Sequence, residues 1–150
     1  MIIRKHKESD RTKIIELLRL NTPEYFSPDE ECDLIYYLDN YADNYYVVEV
    51  DNVIVGCGGF NLSEDGETGK ISWDIFDPQN QGKGYGSALT KFRIQRMKAI
   101  DGIKTVSVRT SQLVYPFYEK FGLELREVVK DYWDKGFDLY RLDSDIDLIS

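Results

Sequence analysis

The stretch Pro78-Gln79-Asn80-Gln81-Gly82-Lys83-Gly84-Tyr85-Gly86-Ser87-Ala88-Leu89 follows an extended apolar run, Lys70 to Phe76. It opens a helical segment, Gly82 to Ile100, with Tyr85, Ala88, Leu89 and Phe92 on one face. Glycines at alternate positions between a strand and a helix predict a loop that turns several free backbone N–H groups toward one point, with the helix dipole behind them. Without Cβ atoms the chain can curl into an anion-binding nest and let a ligand approach closely. The competing reading is a tight turn whose glycines solve only a steric problem.

The loop fits one class of phosphate ligand better than two others. A P-loop needs Gly-Lys followed by Ser or Thr, but Lys83 is followed by Gly84. A dinucleotide fingerprint needs a third glycine where Ser87 stands and an acid about twenty residues on. Asp101 nearly supplies the acid, yet the order of elements does not suit a doubly wound sheet.

Outward from the loop, the chain alternates hairpins with crossovers. Ile2-Ile3 starts a strand, and Ser9 or Asp10 can cap a helix carrying Ile14, Ile15, Leu17, Leu18 and Leu20. Ser27-Pro28-Asp29-Glu30 begins a second helix running through Leu34, Ile35 and Leu38. The runs 45–50 and 53–60 flank Asp51-Asn52, a two-residue turn signal for a hairpin. Strands follow at 70–76 and 103–109, a short helix at 113–121, and two last strands near 123–132 and 137–142 around Asp134-Lys135-Gly136. The tail, Asp143 to Asp147, reads as solvated. The order predicts an α/β (α+β) fold with a mixed, mostly antiparallel sheet containing one parallel step.

Composition bounds the function. One hundred and fifty residues, 42% hydrophobic and 31% charged, suit one globular domain over residues 1–150. Nineteen basic against 27 acidic residues give a net charge of -8, which repels nucleic-acid backbones and favours cationic partners. No stretch reaches the ~18 consecutive apolar residues of a membrane helix, and the start of the chain lacks a signal peptide's apolar core. A cytoplasmic location is expected. The single histidine, His6, cannot build a His-rich metal site, so no metal is expected, and its strand position suggests a surface role. Cys32 and Cys57 read as buried thiols.

Two segments resemble one family. Gln81-Gly82-Lys83-Gly84-Tyr85-Gly86 resembles the (Gln/Arg)-x-x-Gly-x-(Gly/Ala) signature of the GNAT superfamily of acyl-CoA-dependent N-acyltransferases. Tyr115-Pro116-Phe117-Tyr118-Glu119-Lys120-Phe121-Gly122-Leu123-Glu124 is similar to its Tyr-Glu-Lys-x-Gly-Phe segment. With the matching element order, the likeness covers nearly the whole chain. It implies six to seven strands, about four helices, and a sheet splayed between the parallel strands 70–76 and 103–109.

The resemblance also implies a chemistry. The N–H groups of Gln81, Gly82, Lys83, Gly84, Tyr85, Gly86 and Ser87 would hold the pyrophosphate of acetyl-CoA, with Lys83 adding charge. Asp74, Ile75 and Phe76 would pair with the pantetheine arm as an added strand does, one amide polarising the thioester carbonyl. Direct transfer to a primary amine of a small molecule or peptide needs a base, for which Asp74 comes first and Glu67, Glu30 and Glu31 follow. Asp74 can equally be an ordinary strand acid. Tyr118 matches the family's general acid, against the alternative of a core aromatic. Where many relatives carry Asn, this chain has Thr110-Ser111-Gln112, and either Ser111 or Gln112 is a candidate replacement for its cofactor bond.

The acceptor region is expected near the second helix, the Glu67 loop and the final hairpin. Tyr25, Phe26, Tyr36, Tyr37, Tyr132 and Trp133 could wall it, and Glu30, Glu31 and Asp33 could attract a cationic amine. About half of the tyrosines from Tyr36 to Tyr46 should instead be core. The protein is expected to be a monomer or homodimer. The alternative is a non-catalytic acetyl-CoA-binding or partner-interaction module on the same fold.

Overall fold

Asp51 and Asn52 take φ of 51° and 64°, the left-handed geometry that a tight two-residue hairpin turn requires. They join β2 (Tyr45–Val50) to β3 (Val53–Leu62), antiparallel strands in the expected place. A computed structural model describes residues 1–149. Around this hairpin lie β1 (Ile2–Lys5), α1 (Arg11–Leu20), α2 (Glu30–Asn40), β4 (Thr68–Phe76), α3 (Tyr85–Lys98), β5 (Thr105–Thr110), α4 (Tyr115–Glu119), β6 (Glu124–Asp134) and β7 (Phe137–Asp145). The strands hydrogen-bond in the order β1-β2-β3-β4-β5-β7-β6. β4 and β5 are parallel over Thr68–Ile71 and Thr105–Val108, whereas β1–β2, β2–β3, β5–β7 and β6–β7 are antiparallel. The mixed sheet with one parallel step is the predicted one.

The chain forms two compact units, Met1–Asn61 with Trp73–Phe92, and Leu62–Ser72 with Arg93 onward. In the first, Ile14, Leu17 and Leu18 of α1 and Leu34 and Tyr37 of α2 pack with Tyr45, Val47, Cys57 and Ile75 of the strands. Each such buried aliphatic side chain contributes about 2 kcal/mol. Tyr46, alternating with Tyr45 and Val47, meets Phe92 edge-on at 5.0 Å and stacks on Phe60. In the second unit Met97, Val106, Val108, Tyr118, Phe121, Leu139 and Leu142 are buried. A Cβ on Gly69 would lie 2.4 Å from the Met97 sulfur, so glycine there admits α3 close to β4.

Several local expectations need correction. Asp10 precedes α1, but its carboxylate accepts the Lys7 N–H at 2.8 Å and pairs with both Arg4 guanidinium nitrogens at 2.8 and 3.0 Å. The second helix begins at Glu30, whose carboxylate accepts the Ser27 N–H. With Leu34 and Tyr37 turned inward, Cys32 falls on the opposite side and is exposed, while Cys57 is buried as expected. The tail is solvated only at Asp145 and Asp147. β7 extends to Asp145 by pairing with β5, and Ser144, Ile146 and Ile149 are buried. The outermost strand, β6, is exposed along its whole length, with pairing irregularities between Leu125 and Glu127 and between Val129 and Asp134.

Candidate active site

The carboxyl end of β4 is shaped by its carbonyl groups. Trp73 has φ of 51°, a left-handed conformation inside a strand and an uncommon one for a bulky residue. Its carbonyl accepts a hydrogen bond from the Tyr45 hydroxyl at 2.7 Å. The Cys57 thiol donates to the Ile75 carbonyl at 3.8 Å, and the Asn21 side-chain amide donates to the Phe76 carbonyl at 2.8 Å. Asn21 also bonds the Leu17 carbonyl at 2.8 Å, so the end of α1 is tied to β4. Burial pushes the Tyr45 hydroxyl well above the ordinary tyrosine range, which keeps it a donor.

Asp74 lies half-buried between Trp73 and the buried Ile75. The Trp73 ring stacks near-parallel on Phe26 at 6.1 Å and meets Tyr37 at 6.3 Å. Of the tyrosines weighed as walls or core, Tyr37, Tyr45 and Tyr46 are buried, and Tyr36 and Tyr41 are exposed and in contact with each other. His6 is half-buried, its ring edge-on to Tyr45 and its Nδ1 3.2 Å from the Tyr45 carbonyl oxygen.

Past Phe76 the chain turns at once into the glycine loop. The Asp77 carboxylate accepts the Gln79 N–H at 2.9 Å and starts a single 3-10 turn, Pro78–Asn80. Gly82 and Gly84 then adopt φ of 80° and 85°. A Cβ at either would meet nothing within 4 Å, so these positions need glycine for its backbone conformation and not for space. The Ala88 N–H closes the first turn of α3 onto the Gly84 carbonyl at 3.0 Å. The amides of Tyr85, Gly86 and Ser87, ahead of that bond, have no intrahelical carbonyl within reach. Residues 81–84 are exposed, and Lys83 reaches the Asn80 side-chain oxygen at 3.3 Å. The β4 end, the loop and the start of α3 thus belong to one compact unit.

Ser111 and Tyr118 belong to the other unit. The Ser111 hydroxyl accepts the Leu113 N–H at 3.2 Å, and its carbonyl accepts from Val114 and Tyr115, building the entry to α4. Both ends of the Gln112 amide are engaged, donating to the Gly136 carbonyl at 2.7 Å and accepting the Asp138 N–H at 2.9 Å. Gln112 therefore pins the β6–β7 turn. Tyr118 is buried on α4 with its ring edge-on to Phe117. Trp133 donates its indole N–H to the Thr110 carbonyl at 3.0 Å and meets Tyr132 edge-on.

The secondary candidate bases have partners. Glu67 pairs with Lys104 at 2.8 Å. Glu31 accepts two bonds from Arg19, at 2.7 and 3.1 Å, which hold its carboxyl below the usual range. Among the described residues no three His, Cys, Asp or Glu side chains gather in an arrangement that could hold a metal ion, and no helix is long and apolar enough to cross a membrane. Sequence reasoning missed Tyr45, Asn21 and the left-handed Trp73 as shapers of β4. Nothing local marks Trp73, since tryptophan is not a residue that favours that conformation.

No curated protein sequence matches the chain. Solved structures do. The loading GNATL domain of CurA from Lyngbya majuscula superposes with a TM-score of 0.82 at 17% identity, over 97% of this chain and 98% of that one. Ard1 from Thermoplasma volcanium gives 0.81 at 16%, over 96% of each chain. Aminoglycoside 6'-N-acetyltransferase complexed with coenzyme A gives 0.78 at 16%, over 97% of each. At these identities the likeness is one of fold. The family itself is shown by sequence: residues 14–123 match the acetyltransferase (GNAT) family, and the chain belongs to it.

Proposed function

We propose that residues 1–150 act as one cytoplasmic N-acetyltransferase domain that moves the acetyl group of acetyl-CoA directly to a primary amine of a small molecule or peptide. The observation that carries this reading is the continuity, in one compact unit, of the β4 end with the Gly82–Gly84 loop and the first turn of α3. The loop amides and Lys83 bind the pyrophosphate, and the Asp74–Phe76 amides bind the pantetheine arm and the thioester oxygen. Binding by backbone dipoles suits a protein whose overall charge of -8 repels phosphate. A structural relative carrying coenzyme A supports the same cofactor here.

In the transfer the neutral amine attacks the thioester carbon, and charge develops on the carbonyl oxygen under a β4 amide. Asp74, directly or through water, takes the proton from the amine. As the intermediate collapses, the C–S bond breaks and the Tyr118 hydroxyl gives its proton to the leaving sulfur. The aromatic group Phe26–Trp73–Tyr37, whose Trp73 directly precedes Asp74 on β4, supports a cationic acceptor. Glu31, already paired to Arg19, contributes less to that attraction than its charge suggests.

The test is calorimetric titration with acetyl-CoA followed by a thiol-release screen over polyamines, aminoglycosides, amino acids and peptides. Binding with acceptor-dependent thiol release is expected. No binding sinks the cofactor assignment, and binding without release from any acceptor favours the non-catalytic module.

A further inference from the structure

We propose that Tyr45 is a positioning residue for β4, its hydroxyl holding the Trp73 carbonyl and thereby fixing the left-handed bend that aims the amides of Asp74, Ile75 and Phe76. The bend has to be held. A bulky L-residue in the left-handed region costs about 1–2 kcal/mol, and such a conformation persists only where its surroundings over-determine it. Neither the sequence at Trp73 nor a glycine relieves the cost. A restraint at the bend comes from across the sheet, in the 2.7 Å bond from Tyr45.

Tyr45 is built to deliver that bond. It is fully buried, and its ring is wedged edge-on between His6 at 5.6 Å and Tyr37 at 5.5 Å. Its partner in β3 is Gly59, where a Cβ would fall 2.2 Å from the Asn44 carbonyl oxygen and 2.9 Å from the Tyr45 Cα. Glycine at 59 therefore lets this part of β2 lie unusually close. Phenylalanine would fill the same space, so packing alone does not require tyrosine; the hydroxyl does. The bonds from Cys57 and Asn21 to Ile75 and Phe76 hold the strand after the bend, and the Tyr45 bond falls on the bend itself.

The role in catalysis rests on the acetyltransferase reading above, but the role on β4 does not, and the experiment separates them. Tyr45→Phe is followed by amide hydrogen exchange of the free protein and by titration with acetyl-CoA and with CoA. Removing one buried hydrogen bond should speed exchange over residues 73–76 about tenfold relative to the rest of the sheet. It should weaken acetyl-CoA several-fold more than CoA, which lacks the thioester carbonyl. Exchange at 73–76 unchanged, or raised equally throughout, overturns the proposal.

If the wild-type protein binds neither ligand while Tyr45→Phe still loosens 73–76, the cofactor reading fails and the positioning role stands. Trp73→Gly supplies the second arm, since glycine takes the bend without strain. The effect of Tyr45→Phe on exchange should shrink in that background. An equal effect in both backgrounds refutes a role through Trp73.

Discussion

Gly56 offers a direct test of how tightly the proposed cofactor strand is held. A Cβ added at Gly56 would lie 2.2 Å from Cδ1, 2.3 Å from Cε1 and 2.8 Å from Cγ of Phe76. Unstrained carbon–carbon contacts lie near 3.5–4.0 Å, so the ring must retreat by roughly 1.3 Å or more. A phenyl ring moves as a rigid plate, and its own residue is anchored by the Asn21 bond to the Phe76 carbonyl. The strain is therefore shared between the side-chain torsion and the strand. Over-packing of this kind costs about 1–3 kcal/mol. For a chain of this size that lowers Tm by about 2–4 °C for each kcal/mol. A displacement near 1 Å in a positioning strand can cost up to about a hundredfold in turnover.

The assays are thermal unfolding, acetyl-CoA titration and acetylation rate, on Gly56→Ala and on Gly56→Ala with Phe76→Leu. Gly56→Ala should lower Tm, weaken acetyl-CoA and slow turnover together. The smaller leucine should recover much of the Tm. An unchanged Tm in the single variant, or no recovery in the double, would show that the contact with Phe76 is not what governs this position.

Four further outcomes are expected. Gly84→Ala has room for its methyl group, so it should lose about 1–2 kcal/mol through backbone strain alone. Gly84→Asp adds a charge beside the phosphates and should weaken acetyl-CoA well beyond the alanine variant, a difference titration reads directly. Tyr118→Phe should lower kcat while leaving acetyl-CoA affinity within about twofold, and unchanged turnover would remove Tyr118 as the acid. Asp10 is held below the usual carboxyl range first by its Arg4 bonds and then by the Lys7 amide, against the opposing effect of its burial. A depressed folded value means its stabilisation is present above the unfolded value near ~3.9 and lost as pH falls through the folded one. Asp10→Asn should cost about 2 kcal/mol at pH 7 and flatten the loss of stability in urea titrations below about pH 4.

What the sequence made legible was governed by local chemistry. The Asp51-Asn52 turn and the Gly82–Gly84 loop could be placed because each needs a backbone conformation that few residues adopt, and both glycines and both turn residues have positive φ. Apolar patterning and the flanking glycines located α3 and α4 to within a few residues. What was illegible depends on partners distant in the chain. Asp143 to Asp147 looks solvated by composition, yet β5 recruits it into the sheet nearly forty residues away. Cys32 was misread because the phase of α2 is set by Leu34 and Tyr37 reaching their core neighbours. Gln112 looked like a cofactor ligand, but a hairpin more than twenty residues later engages both of its amide ends. The left-handed Trp73 has no signal in its own residue type, because the group that holds it sits on β2.

The exposed outer strand has a consequence for how the molecule behaves in company. β6 ends the sheet and presents Leu125, Val128, Val129, Tyr132 and Trp133 to solvent, the raw material for fibril-like stacking. Glu124, Arg126, Glu127, Lys130, Asp131 and Asp134 are spaced among them, and the two irregularities break the ladder a neighbour would have to follow. Colloidal stability is thus written into the strand most exposed to a second sheet, as alternating charge and broken register along one edge.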